Sequence, residues 1–245
     1  MHGEGLDALI ISHVNGCRAV VLSSILALAA CQTLPDSAAP GNGAAITNVK
    51  ATHSGQRYRI DTQASQIRLL VYRDGPMARV GHNHVMAGPV TGDIYVSDTA
   101  AASGFRIEIP VESLQVDAPA LRVEEGVEFA AALSEQARKG TRDNMLGAEV
   151  LDAVHHPQIV IESDALSGPR WNPDVSALIT VRGKTSTLKF PAAVFEQAGE
   201  LTVIAAFTVL QTELGMTPYS ILGGAVTVRN AIDIRVRLVA RPAAE

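Results

Sequence analysis

The stretch "FRIEIPVE", Phe105 to Glu112, decides the fold class. Phe105, Ile107, Ile109 and Val111 fall on every second position. Arg106, Glu108, Pro110 and Glu112 fall between them. A period of two puts the apolar side chains on one face of an extended strand and the polar ones on the other. Pro110 cannot donate to a sheet ladder, so it predicts an edge or a bulge.

The same period recurs on both sides of this stretch. Ile67, Leu69 and Val71 alternate with Arg68, Leu70 and Tyr72, and Val90, Ile94 and Val96 with Thr91, Asp93, Tyr95 and Ser97. Downstream, Ile159 and Ile161 share a face, as do Ala177, Ile179 and Val181. "LTVIAAFTVL" groups Leu201, Val203, Ala205, Phe207 and Val209. The last long run gives Val226 and Val228, then Ile232, Ile234, Val236 and Leu238, with a change of phase at Asn230-Ala231 that predicts a turn or bulge. Turn residues at Asp74-Gly75, Asn172-Pro173-Asp174, Arg182-Gly183-Lys184 and Gly199-Glu200 separate these runs. The pattern predicts about seven to nine antiparallel strands.

Only residues 118–152 break the period. Val127, Ala130, Ala131 and the run from Leu133 to Ala137 are spaced for a helix interrupted at Gly140, and Thr141 is a candidate N-cap for a second short helix. The expectation is a mainly β domain over 56–242 with a short helical insertion. Strands apolar on one side close into a barrel with an apolar lumen or pack as a solid two-layer sandwich, and periodicity does not separate the two.

The N-terminus reads as an address. Arg18 precedes "AVVLSSILALAAC", a short apolar run ending in small residues, as in a secretory signal peptide. Leu28-Ala29-Ala30-Cys31 resembles a bacterial lipobox, which makes residues 1–30 a signal peptide and Cys31 the lipid attachment site. Glu4 and Asp7 lengthen and acidify the region before the apolar run, so the expected translation start lies near Val14. Gln32 in place of Asp after the lipidated cysteine points to the periplasmic face of the outer membrane. Residues 31–55, small, polar and rich in Pro and Gly, read as a flexible tether. The other cysteine is Cys17, so the domain holds no disulfide.

Of the 245 residues 47% are hydrophobic, which suffices for a filled core. Aromatics are 4% and the net charge is −5, which excludes a nucleic-acid footprint of stacking platforms and basic patches. No Gly-x-Ser-x-Gly elbow occurs, and the mature chain offers no thiol nucleophile. Glu124-Glu125 falls in a solvated loop or helix start, Ser220 reads as a turn residue, and Gly223-Gly224 lacks the surroundings of a phosphate loop. The chain therefore does not read as an enzyme, and no cofactor is expected.

Taken in order, several short motifs resemble the YceI-like family. Tyr58, Ile60, Asp61 and Ser65 fill its Tyr-x-Ile-Asp opening, and Gly81, His82, Gly88 and Gly92 its Gly-His motif and glycine-punctuated strand. Ser113-Leu114, Pro157, Ile159, Ser163, Gly183, Thr185 and Leu188 continue the match, with His156 and Ile161 where Tyr and Phe are usual. Of the family's Arg-Asp-x-x-Leu-Arg-Ser helix only Arg142, Asp143 and Leu146 remain. The resemblance implies an extended, lipocalin-like antiparallel β-barrel, exported to the periplasm, whose lumen holds an amphiphilic isoprenoid of the quinone or polyprenol type. A ten-residue strand spans about 33 Å, enough for an extended tail. Leu69, Val71, Phe105, Ile107, Ile109, Ile179, Val203 and Phe207 are the candidate lumen residues.

His82 and His84 in "VGHNHVMAG" are the candidates for contact with a head group. In a strand they share a face, so a second reading is a metal-dependent enzyme or a metal-binding protein that uses this pair, with a third ligand from His155 or His156. A third reading is a solid-core structural lipoprotein without ligand. Arg68, Arg73, Arg79 and Arg106 read mostly as solvent-facing strand positions, with a lone arginine at a barrel mouth able to meet a head group.

Overall fold

A computed structural model describes residues 55–244 of the chain. The predicted signal peptide, Cys31 and most of the tether lie outside the described residues. The strands are β1 (Gln56–Ile60), β2 (Gln66–Asp74), β3 (His84–Gly88), β4 (Thr91–Val96), β5 (Gly104–Pro110) and β6 (Gln115–Val116). Two helices follow, α1 (Pro119–Glu124) and α2 (Glu135–Leu146). The rest is β7 (Gln158–Ser167), β8 (Asp174–Val181), β9 (Lys184–Pro191), β10 (Ala193–Gln197), β11 (Glu200–Leu210), β12 (Ser220–Ile221) and β13 (Val226–Pro242).

Several of these strands are halves of longer bent ones. β1 and β2 lie end to end along one edge of β13, where Ile60 pairs with Ala240 and Gln66 with Arg237. On their other edges β1 pairs with β4 and β2 with β3; β4 then pairs with β5, and β3 with β6. The sheet thus runs β11, β13, β1/β2, β3/β4, β5/β6, β7, β8 and β9/β10, and β10 pairs with β11. This is a lipocalin-like antiparallel barrel whose ladder does not close. β9 pairs only with β8, and past Ala192 the chain crosses to β11 as β10. A stack of Phe190 on Phe207, centroids 4.2 Å apart, bridges the seam between β9 and β11.

Hydroxyls replace missing backbone partners at the breaks. Between β1 and β2, Ser65 Oγ accepts from Val239 N at 2.9 Å, so that amide keeps a partner, and donates at 3.1 Å to Val239 O, which also accepts from Asp61 N. Asp61 shapes that bend by accepting from the amides of Gln63 and Ala64 and pairing with Arg241. In β7, Ser163 Oγ accepts from Phe105 N at 3.0 Å where the register slips. The phase change at Asn230-Ala231 is a β-bulge between Val228 and Ile232. Arg182 and Gly183 both have positive φ, as a two-residue hairpin between β8 and β9 requires. At Gly92 (φ +135°) a Cβ would lie 2.1 Å from Arg106 O, so β4 approaches β5 only without a side chain there.

The insertion differs from its expected form. Residues 127–133 are not helical, and Val127 is 91% exposed. Ser134, not Thr141, caps α2 by accepting from Ala137 N. Gly140 and Thr141 lie inside the helix, where Thr141 Oγ1 donates to Ala137 O. The insertion covers the outer face of β2 and β3: Phe129 buries Leu70 and Val85 and meets Tyr72 edge to face at 5.7 Å. That cover explains the apolar Leu70 on the otherwise polar phase of β2. Glu125 is not solvated, since its side chain is 1% exposed and paired with Arg68 and Arg235 on that outer face.

Candidate functional site

Inward positions of the barrel leave two apolar chambers in line. The upper one, about 360 Å³, is lined by Phe105, Ile107, Ile109, Val203 and Phe207 among others. The lower one, about 350 Å³, is lined by Leu69, Val71, His82, His84, Met145 and Met216 among others. β13 serves both: Val228 and Ile232 face the lower chamber, Val236 and Leu238 the upper. From Val228 to Leu238 an extended chain spans about 33 Å. Between the chambers, Ile234 on β13 and Val209 on β11 are buried and line neither, forming an apolar waist. Of the expected lumen residues only Ile179 faces neither chamber; it is packed in the main core.

The upper mouth carries Tyr95, Ser103, Arg170, Trp171 and Glu196. Tyr58 Oη donates to Glu196 at 2.9 Å, and Arg170 stands 3.7 Å from the same carboxylate. Burial, then the bond to Glu196, pushes the Tyr58 hydroxyl up from its ordinary value. Trp171, the single tryptophan, is 69% exposed at this rim.

The lower chamber holds the polar constellation. His84 Nδ1 lies 2.6 Å from Asp117 Oδ2. Asp117 Oδ1 accepts from Arg122 Nη1 at 2.6 Å and from Val85 N at 3.0 Å. Arg122 also donates to Asn83 O and to Ala131 O. Asp117 is 0% and Arg122 4% exposed, so this is a buried ion pair with its remaining hydrogen-bonding capacity met. Burial pushes the Asp117 carboxyl up, but bonds from His84, Val85 and Arg122 outweigh it and hold the group below the usual carboxylate range. Burial lowers the pKa of His82, and the neighbouring His84, Arg122 and Arg73 lower it further.

The two histidines are brought together at this chamber, but the expected third metal ligand is not. His155 bonds Asp152, and His156 lies against the turn at Gly183. Among the described residues no group of three or more His, Cys, Asp or Glu is placed to hold a metal ion.

A family model, the YceI-like domain, matches residues 58–240. The chain belongs to the YceI-like family. Among solved structures, BcnA of Burkholderia cenocepacia shares the fold with a TM-score of 0.52 at 16% identity, over 74% of this chain and 98% of BcnA. The YceI protein of Campylobacter jejuni gives a TM-score of 0.46 at 8% identity, over 63% of this chain and 82% of its own. No curated protein matches the chain in sequence. Family and barrel together make this YceI-like domain a ligand-binding protein.

Sequence reading missed Asp117 and Arg122. The available signal was an Asp directly after the short strand "QV", a position where a side chain can extend a ladder. What made it invisible was distance along the chain: 33 residues separate His84 from Asp117, and the β3–β6 register joins them.

Proposed function

We propose that the chain binds an amphiphilic isoprenoid of the quinone or polyprenol type, tail in the upper chamber and head in the lower, and stores or carries it without chemical change. The observation that carries this reading is the asymmetry of the lumen. The upper chamber is apolar along its length with polar groups only at its rim, whereas buried and half-buried polar groups converge on the lower one. Removing a tail from water stabilises it by about 0.8 kcal/mol per methylene, with polar groups at one end fixing its direction. A continuous tail passes the waist by displacing Ile234 and Val209, which costs less than leaving a long chain in water.

The test is a titration with a long-chain prenyl quinone, followed through Trp171. The expected result is a saturable blue shift at one ligand per chain, weaker by at least about tenfold for an analogue several methylenes shorter. Equal responses to long and short tails, or none, would refute the reading.

The setting follows from the N-terminal sequence: a lipoprotein anchored through Cys31 to the periplasmic face of the outer membrane. Palmitate labelling in a Gram-negative host is expected to mark the wild type and to vanish in Cys31→Ser. A label that persists in the variant would contradict the anchor.

A further inference from the structure

The outer face of the barrel breaks its polar phase beneath the insertion and again at the upper end. Beneath the insertion, Phe129 covers Leu70 and Val85. At the upper end, Val194 and Glu196 of β10 line the chamber, so Phe195 between them points outward. On β11, Val203 and Ala205 line it, so Ile204 points outward. Phe195 pairs with Thr202 and Ala193 with Ile204, which makes the two apolar side chains diagonal neighbours on one face. Phe195 is 56% and Ile204 45% exposed, so no described residue buries them.

Trp171 extends this patch to the rim. The Val194 amide donates to Trp171 O at 2.9 Å, which ties the hairpin between β7 and β8 to β10 beside Phe195. Pro169 and Pro173 flank the hairpin tip, and the Asn172 amide donates to Pro169 O, so a preset turn carries the exposed indole. An apolar patch left open on a sheet otherwise polar outside marks a contact surface.

Two observations name what it meets. The chain enters the domain at this end: Gln56 begins β1 opposite Val96, which lines the upper chamber, so an anchor at Cys31 is attached to the upper rim. The arginines here are paired, Arg170 with Glu196 and Arg241 with Asp61 and Glu200. Exposed aromatics among balanced charges suit the boundary between headgroups and acyl chains of a neutral bilayer.

We propose that the upper rim docks directly on the bilayer that carries the anchor, with Trp171, Phe195 and Ile204 inserted at the headgroup–acyl boundary. The assignment rests on the anchor proposed above and adds a second, reversible contact that opens the upper chamber onto lipid. An amphiphile then passes between bilayer and lumen without crossing water.

The test binds the lipoprotein to phosphatidylcholine vesicles whose acyl chains carry bromine, with Trp171, the single tryptophan, as the depth probe. Strong quenching of Trp171 is expected, equal at about 0.1 M and about 1 M salt because apolar burial is not screened. Phe195→Ser combined with Ile204→Ser changes two exposed side chains outside the lumen. It is expected to weaken docking by at least about tenfold and to remove most of the quenching while the anchor keeps the protein on the vesicle. Val80 lines the opposite chamber. Val80→Trp in a Trp171→Phe background is expected to stay unquenched. Trp171 unquenched on the vesicle, as a second copy seated on the patch would leave it, would overturn the docking and leave the anchor standing. So would quenching that survives the double change, or quenching of the Val80→Trp probe. Quenching of a protein that palmitate labelling shows to be unacylated would support the docking and overturn the anchor.

Discussion

Replacing Asp117 with alanine is expected to destabilise the barrel by about 3–5 kcal/mol, because it leaves the buried Arg122 guanidinium without its counter-charge. Arg122 is 4% exposed, and its other partners are the carbonyls of Asn83 and Ala131, which do not neutralise it. The same change frees the Val85 amide and the His84 ring from their acceptor. Urea unfolding at neutral pH measures the loss, and a change below about 1 kcal/mol would contradict the role given to this pair. The wild type also carries a pH signature. Its Asp117 carboxyl is held below the ordinary value in the fold, so the stabilisation is complete above that value, near pH 4, and is lost as pH falls through the lower folded value. Asp117→Ala lacks this contribution, so its stability is expected to fall less steeply than that of wild type on acidification below about pH 4.

The second large effect concerns the upper chamber. Ala205 on β11 is buried, pairs with Val236 of β13 and lines that space. Ala205→Trp places an indole where the tail is proposed to lie. Binding of a long-chain prenyl quinone is expected to weaken by at least about a hundredfold, since every four methylenes denied burial remove about 3 kcal/mol. The indole enters existing space, so the expected change in folding stability is within the range of about 1–3 kcal/mol seen for overpacking. Ala206→Trp, one residue on and facing outward, is the control and is expected to bind as wild type. Undiminished binding by the Ala205 variant would place the tail elsewhere.

The strands were legible because burial on one face imposes a period of two, and a slip of one residue would turn every side chain over. Phe105 to Ile109, the β13 bulge and the Arg182-Gly183 hairpin all show that constraint in the sequence. The breaks between β1 and β2 and between β3 and β4 were not legible, because they depend on which strand each half pairs with. The insertion misled for a related reason. Residues 127–133 have helical spacing, yet Phe129 gains more from covering Leu70 and Val85 than the segment would gain from continuing a short helix.

The candidate site divides in the same way. His84 and the lining of the upper chamber follow from strand phase, His82 lies just before β3, and Ile179 shows where phase alone overreaches: inward-facing residues pack a core as readily as they line a cavity. Asp117 and Arg122 contribute through contacts across the fold. They turn a histidine pair with the spacing of metal ligands into one imidazole held by a buried carboxylate and another at the chamber rim.

Mass spectrometry of an organic extract of the protein, purified from its native host, tests the central claim most directly. The predicted result is one isoprenoid amphiphile per chain, retained by wild type and absent from Ala205→Trp purified in parallel. Recovery of wild-type protein free of any isoprenoid, or equal recovery from both proteins, would contradict it.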